Sequence, residues 1–584
     1  MKKNLIYAIL VIGLIAGSNM ACNAKRKTMQ LKIIETSDVH GCFFPYDFIT
    51  RKPITGSLAR VSSYIKSQRE LYGDKIILLE NGDIMQGQPS CYYYNYINTE
   101  SLNIASKVMN YLRYDAATIG NHDIETGHEV YDKWADELNC PMLGANVICK
   151  ETGKPYFMPY TIIERQGAKI AVVGMISPAI PNWLSENLWK GMYFEEMVSA
   201  ASRTIEILKE TENPDVVIGL FHSGKEGGIT TDCYQENASL KVAKEVDGFD
   251  VIFFGHDHTL YTEKITNEAG NEVICLDPAN NAHVVAEAVV TLEKRHGRWT
   301  VTEKDGQLAD VDNMPVDDDY MSFFKSDIEE INAFVNRKIG DLGETISSKE
   351  CFFGSSAFTD LILNLQLQIT GADISFNAPL SSNATIAEGP VYVSDMFNLY
   401  KYENQLYVMR LKGSEIRKHL EMSYDQWVNT MRSADDHLLL IERKKRNNIE
   451  KWDFRNMTFN FDSAAGIDYE VDVTKPDGEK VRILRMSDGR PFSEDEYYKV
   501  AVNSYRGNGG GELLTRGAGI PHDSLESRII YRSEKDQRYY LMKEIEKLGT
   551  ITPKANNNWR FVPDSLVAPA AKRDYDLLFG KKDK

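Results

Sequence analysis

A chain of 584 residues exceeds the roughly 100 to 200 residues of one domain, so two or more domains are expected. Hydrophobic residues at 43% and charged residues at 26% exclude a disordered or collagen-like chain. A formal net charge of -17, from 67 Lys plus Arg against 84 Asp plus Glu, excludes a sequence-independent binder of a nucleic-acid polymer or an anionic surface.

Lys2 and Lys3, followed by the apolar run Leu5 to Gly17, read as an export signal over residues 1–22. The run is shorter than the roughly 20 residues a bilayer crossing needs. Cys22 after Ala21 resembles the lipidated cysteine of bacterial lipoproteins, while Asn19 and Met20 depart from that pattern. The expectation is therefore an exported, monomeric protein of the periplasm or cell envelope, with a lipid anchor at Cys22 as its one route to a membrane. The eight cysteines show no C-x-x-C pair and read as buried or free thiols, with one or two bridges open.

Residues 30–310 alternate β-branched runs with helix-like stretches, which predicts an α/β domain. Strand candidates are Leu31 to Thr36, Lys75 to Leu79, Ala116 to Ile119, Lys169 to Gly174, Asp215 to Leu220 and Asp250 to Phe254. Residues 311–342 read as a connecting helix, with Phe323, Phe324, Ile328, Ile331 and Phe334 on one face. Residues 343–565 alternate helices such as Ala357 to Ile369 and Gly413 to Met422 with strands such as Gln405 to Leu411, a second α/β domain. The basic run Arg443 to Arg446 reads as a solvated loop and Lys581, Lys582 and Lys584 as a frayed tail.

Polar residues gather just past the apolar runs. Asp38 and His40 follow the first, Asp83 the second, and Asn121, His122 and Asp123 the third; His222, then His256 and His258, follow later ones. In an open α/β sheet the carboxyl ends of parallel strands line one crevice, so these groups converge. Five of the 11 histidines belong to this set. Gathering imidazoles and carboxylates without a cation would strand partly desolvated acids, whereas divalent metals such as Zn, Mn, Co or Fe accept those ligands. The set exceeds one tetrahedral site and fits two cations sharing a carboxylate, a pair that can neutralise charge on a phosphoryl group during displacement.

The ordered motifs Asp-x-His, Gly-Asp, Gly-Asn-His-Asp, His and Gly-His-x-His resemble the calcineurin-like metallophosphoesterases over roughly residues 31 to 300, which implies an α/β sandwich for this domain. The resemblance implies one metal on Asp38, His40, Asp83 and His258, another on Asp83, Asn121, His222 and His256, and His122 as the catalytic histidine. It implies Glu125 as the acid that orients His122, with Asp123 as the alternative. Gly56 to Arg60 resembles a Gly-Gly-Leu-Ala-Arg stretch of exported nucleotidases and reads as a helix start, with Arg60 either structural or facing the site; His128 and His283 read as structural.

The stretches Tyr400 to Leu406, Leu420 to Ser423 and Asn503 to Gly511 resemble the C-terminal domain of exported 5'-nucleotidases, closest to the 2',3'-cyclic-nucleotide 2'-phosphodiesterase/3'-nucleotidase branch. That resemblance implies a nucleobase held between Tyr402 and Tyr505 and hydrogen-bonded by Asn404. Many 5'-nucleotidases carry Asn-Gly-Gly-Gly-Ile-Arg and nearby arginines, whereas this chain has Ser375 to Leu380 with Ala378-Pro379 and no Arg between Ile369 and Val391. The expected activity is thus hydrolysis of 2',3'-cyclic nucleotides and 3'-nucleotides to nucleoside and phosphate. The alternatives are a 5'-nucleotidase or nucleotide-sugar hydrolase, a non-catalytic nucleotide-binding envelope protein, and a structural envelope protein.

Overall fold

The computed structural model describes residues 27–446 and 449–580. The export signal, Cys22 and the terminal lysines lie outside the described residues. Two six-stranded sheets are built from β1 (Thr28–Thr36), β2 (Ile76–Glu80), β3 (Ala116–Thr118), β4 (Met142–Leu143), β5 (Tyr160–Arg165), β6 (Ala168–Ile176), β7 (Val216–His222), β8 (Val251–Phe254), β9 (Leu260–Thr266), β10 (Glu272–Pro278), β11 (Val284–Arg295) and β12 (Arg298–Asp310). The first has the order β12-β11-β1-β2-β3-β4 and the second β9-β10-β8-β7-β6-β5. Strands β1 to β4 are parallel, as are β6, β7, β8 and β10.

The continuous apolar runs are explained by burial on both faces. Leu31 and Ile33 of β1 and Ile77 and Leu79 of β2 pack against Val216, Ile218, Leu220, Val251 and Phe253 of the other sheet. The alternate residues Ile34, Ile76 and Leu78 face a helical layer that includes α1 (Leu58–Tyr72). Val217, Phe221, Ile252 and Phe254 face the helices Met197–Thr211 and Ser239–Glu245 on the far side. The result is two helical layers enclosing two stacked sheets. The polar groups still converge, but from the strand ends of two sheets rather than one, because both apolar faces of every central strand need a covering layer.

The segment expected as one connecting helix is α2 (Asp318–Phe323) and α3 (Lys325–Val335) followed by a strand at Lys338–Leu342. Phe324 leaves helical geometry (φ -91°, ψ 11°) and its ring enters a cluster with Phe44, Tyr111 and Tyr320. Phe323 is 58% exposed and does not share the buried face of Ile331.

The C-terminal domain centres on a five-stranded sheet of β13 (Ile374–Asn377), β14 (Gln405–Lys412), β15 (Ser463–Ala465), β16 (Tyr497–Asn503) and β17 (Ile529–Asp536), in the order β15-β13-β16-β14-β17. The helix α4 (Gly413–Trp427) buries Ile416, Leu420, Tyr424 and Trp427 in its core. Arg443 to Arg446 lie in a β-hairpin strand rather than a loop. Arg443 stacks on Trp452 at 5.4 Å and pairs with Glu450 at 3.4 Å across the hairpin, contacts that reward extended pairing. The described cysteines are all free thiols. No helix among the described residues is long and apolar enough to cross a membrane.

Candidate active site

Five of the polar groups sit just past a strand end, where the backbone turns left-handed. Asp38 (φ 51°), His40 (φ 49°), Asp83 (φ 55°), His256 (φ 79°) and His258 (φ 56°) all occupy that region without being glycine. Such residues cost about 1 to 3 kcal/mol each and persist only where neighbours over-determine them. Here the Asp38 N–H donates to the Gly82 carbonyl (3.0 Å) and the His40 N–H to the Asp83 carbonyl (2.9 Å), locking the two loops together. The His256 N–H donates to Asp38 Oδ2 (3.0 Å), which ties the second sheet to the first. A side chain at Gly82 or Gly120 would strike the facing loop, Gly82 against the Gly120 nitrogen and Gly120 against Asp83 Oδ1.

Two groups with metal-ligand chemistry result: Asp38, His40 and His258, and Asp83, His222 and His256. In the first, His258 Nε2 lies 3.3 Å from Asp38 Oδ1 and 3.1 Å from His40 Nε2. In the second, His222 Nε2 lies 3.2 Å from Asp83 Oδ2 and 3.1 Å from Asn121 Oδ1. The His222 Nδ1–H donates to the Asn81 carbonyl (2.7 Å) and the His40 Nδ1–H to the Gln86 carbonyl (3.1 Å). With Nδ1 so engaged, Nε2 carries the lone pair toward the centre, as a metal ligand requires. Asp38 Oδ1 is buried with no hydrogen-bond partner. An orphaned carboxylate oxygen facing imidazole nitrogens fits a bound divalent cation.

Burial works against the carboxylate charges, yet His258 and His222 hold Asp38, and His222 and His122 hold Asp83, below the usual carboxylate range. Burial pushes His40 down to about 4. His222, also opposed by burial, is pushed up to about 10 by Asp83 and Asp38.

His122 lies in a short helix, Asn121–Glu125. Its backbone N–H donates to Asp83 Oδ1 (2.8 Å), and its ring Nδ1 meets Glu125 Oε2 at 2.7 Å. Burial disfavours the imidazolium, but Asp83 and Glu125 push it up to about 9. Asp123 faces the other way. Its carboxylate accepts the backbone N–H groups of Asp83, Ile84, Met85 and Gly120 at 2.8 to 3.1 Å. Asp123→Asn turns an amide toward two of those donors, and about 3 kcal/mol or more of N-terminal-domain stability is expected to go. The check is a thermal unfolding scan; an unchanged midpoint would contradict this structural role.

Arg60 donates to the Met314 carbonyl and so braces the connector rather than facing the site. His128 bonds Asp132 (3.0 Å) and the Lys190 carbonyl (3.0 Å), and His283 bonds Asp312 (2.7 Å).

A cavity of about 600 Å³ runs from Asn121, His122 and His256 to Tyr402, Asn404 and Tyr505. Tyr402 and Asn404 precede β14 and Tyr505 follows β16; these strands pair antiparallel with Leu406 opposite Asn503, which brings the two ends together. The Tyr402 ring lies parallel to His122, with centroids 6.4 Å apart. Asn404 Oδ1 accepts from the Tyr505 N–H (3.3 Å), so this side chain also fixes the Tyr505 turn. Arg506, 1% exposed, grips Asp462, the Phe459 carbonyl and the Gly510 carbonyl beneath that turn. Leu380 lines the cavity; Arg516 is its sole Lys or Arg among the described residues and is paired with Glu512 at 3.3 Å.

Several contributors escaped sequence reasoning. Glu236 Oε1 lies 3.2 Å from His256 Nε2, and Trp183 packs on the His256 ring at 5.4 Å. Neither sits in a spaced motif. Asn81 and Gln86 act through backbone carbonyls, which residue type does not reveal.

The calcineurin-like phosphoesterase family matches residues 31–260, and the 5'-nucleotidase C-terminal domain matches residues 335–516. A trifunctional nucleotide phosphoesterase protein of Bacillus subtilis is 27% identical over 92% of this chain, which spans 39% of that protein's length. A 2',3'-cyclic-nucleotide 2'-phosphodiesterase/3'-nucleotidase of Yersinia enterocolitica is 25% identical over 92% of this chain and 89% of its own. A crystal structure from Staphylococcus aureus, 19% identical, covers 91% of this chain and 99% of its own with a TM-score of 0.73, a shared fold.

Proposed function

We propose that this chain, a calcineurin-like phosphoesterase joined to a 5'-nucleotidase C-terminal domain, hydrolyses 2',3'-cyclic nucleotides and 3'-nucleotides to nucleoside and phosphate. The observation that carries the reading is one cavity lined at one end by Asn121, His122 and His256, beside the metal-ligand groups, and at the other by Tyr402, Asn404 and Tyr505. Base-aromatic stacking, worth about 1 to 3 kcal/mol, tolerates every base. Leu380 and the Glu512-paired Arg516 leave that cavity without an arginine clamp for a 5'-phosphate.

In this reading Asp38, His40, Asp83 and His258 hold one cation and Asp83, Asn121, His222 and His256 the other. Two divalent cations, of the Zn, Mn, Co or Fe kind, supply the positive charge that offsets phosphoryl charge and lower the pKa of water. Glu125 holds the Nδ1 proton of His122 and leaves Nε2 to the substrate. An imidazole protonated near neutral pH can donate to a phosphoryl oxygen or to the departing ribose oxygen. Tyr402 and Tyr505 sandwich the base, and Asn404 orients it. Export to the periplasm or envelope, with or without a lipid on Cys22, belongs to the same reading and rests on residues 1–22 alone.

Metal-loaded protein incubated separately with 2',3'-cyclic AMP, 3'-AMP and 5'-AMP is expected to favour the first two. A higher kcat/KM on 5'-AMP would make the chain a 5'-nucleotidase instead, and no turnover on any of the three would leave a nucleotide-binding protein.

A further inference from the structure

The loop that carries Tyr402 and Asn404 is irregular, with no helix or strand of its own between Leu399 and Gln405. A single side chain braces it from behind. Arg538 lies in the helix Gln537–Leu548 and is 2% exposed. Its Nε donates to the Tyr400 carbonyl (2.9 Å), Nη2 to the Lys401 carbonyl (2.6 Å) and Nη1 to Glu403 Oε1 (2.8 Å). All three guanidinium nitrogens are thus spent on the residues flanking Tyr402. The Gln537 N–H adds a bond to the Asn404 carbonyl at 2.7 Å.

The same guanidinium faces Phe397 at 4.0 Å and Tyr92 of the N-terminal domain at 5.1 Å. The Tyr92 hydroxyl donates to Asp536 Oδ2 at 2.9 Å. Tyr92 closes the helix Pro89–Tyr92, directly after the loop whose Gln86 carbonyl orients His40. A continuous run of contacts therefore joins the metal-ligand loops to the loop bearing Tyr402.

We propose that Arg538 is a positioning residue for the nucleobase: it holds residues 400, 401 and 403 so that Tyr402 and Asn404 meet the cavity, and through Tyr92 it fastens that loop to the phosphoesterase domain. This rests on the reading above that Tyr402 and Asn404 take the base. A planar fork with fixed donor directions suits three acceptors on one loop; a lysine, with one nitrogen, cannot reach all three. The substrate class follows: phosphoesters bearing a base depend on Arg538, and small phosphoesters without one do not.

The test is steady-state kinetics of Arg538→Met, Arg538→Lys and Tyr402→Ala on 3'-AMP and on p-nitrophenyl phosphate. The KM for 3'-AMP is expected to rise about tenfold in Arg538→Met, with Arg538→Lys between it and the parent, while kcat and the p-nitrophenyl phosphate constants stay within about twofold. If Tyr402→Ala leaves the 3'-AMP KM unchanged, the base-stacking reading fails on its own account, and this proposal with it. If Tyr402→Ala raises it and the Arg538 variants do not, or if they depress both substrates equally, the positioning role is overturned. Glu403→Gln removes the charge of the same pair without emptying the site, is expected to move the same KM in the same direction, and answers the question where Arg538→Met does not fold.

Discussion

Asp83→Asn is expected to cut phosphoester hydrolysis by more than about a thousandfold, because the cations carry several kcal/mol of transition-state charge stabilisation and 1.36 kcal/mol is tenfold in rate. The substitution preserves shape. The acceptor for the His122 N–H at Oδ1 can remain, while the anionic oxygen 3.2 Å from His222 Nε2 is lost. Asp83 is fully buried and is the charge that most strongly sustains the protonated forms of both His122 and His222. In the proposed ligand sets it is also the one residue common to both cations. Metal content by inductively coupled plasma mass spectrometry should therefore fall below two per chain as turnover falls. A variant that kept two metals and its parent rate would remove Asp83 from the centre.

His122→Ala should separate chemistry from binding. Its ring contributes the Nε2 proton while Glu125 holds Nδ1 at 2.7 Å, and Asn121 and the other proposed ligands are untouched. A positioned acid or base is worth about 10² to 10⁴ in rate, so kcat on 3'-AMP should drop by that factor with the metal content unchanged. Glu125→Gln should cost less, since an amide oxygen can still accept from Nδ1 without the charge that helps raise the imidazole. Turnover in His122→Ala equal to the parent's would assign the proton transfer elsewhere, and simultaneous loss of metal would recast His122 as a structural residue.

The positions of the proposed ligands were legible because each follows a continuously apolar run, and a strand buried on both faces leaves its chemistry to its end. Val216 to Leu220 and Val251 to Phe254 are strands with His222 and His256 at their tips. Glu125 was implied by the family resemblance, and the geometry gives it the His122 contact while turning Asp123 toward four backbone donors. Less was legible where side chains of one type meet different surroundings. Phe323 and Phe324 were both placed on the apolar face, yet only Phe324 is buried, and the helix breaks there.

By itself the sequence determined the α/β character of both domains and offered the inventory of proposed ligands, since these follow from local alternation and residue chemistry. Only the tertiary structure decided that the proposed ligands come from two stacked sheets, that five of their positions adopt left-handed backbone, that Tyr402 and Tyr505 line one cavity, and that Arg538 grips the loop bearing Tyr402. Those facts depend on contacts between residues far apart in the chain, such as Leu406 opposite Asn503 and Arg538 behind Tyr400. Such pairings are selected by burying shared faces and satisfying buried donors together, and no local pattern of residues encodes them.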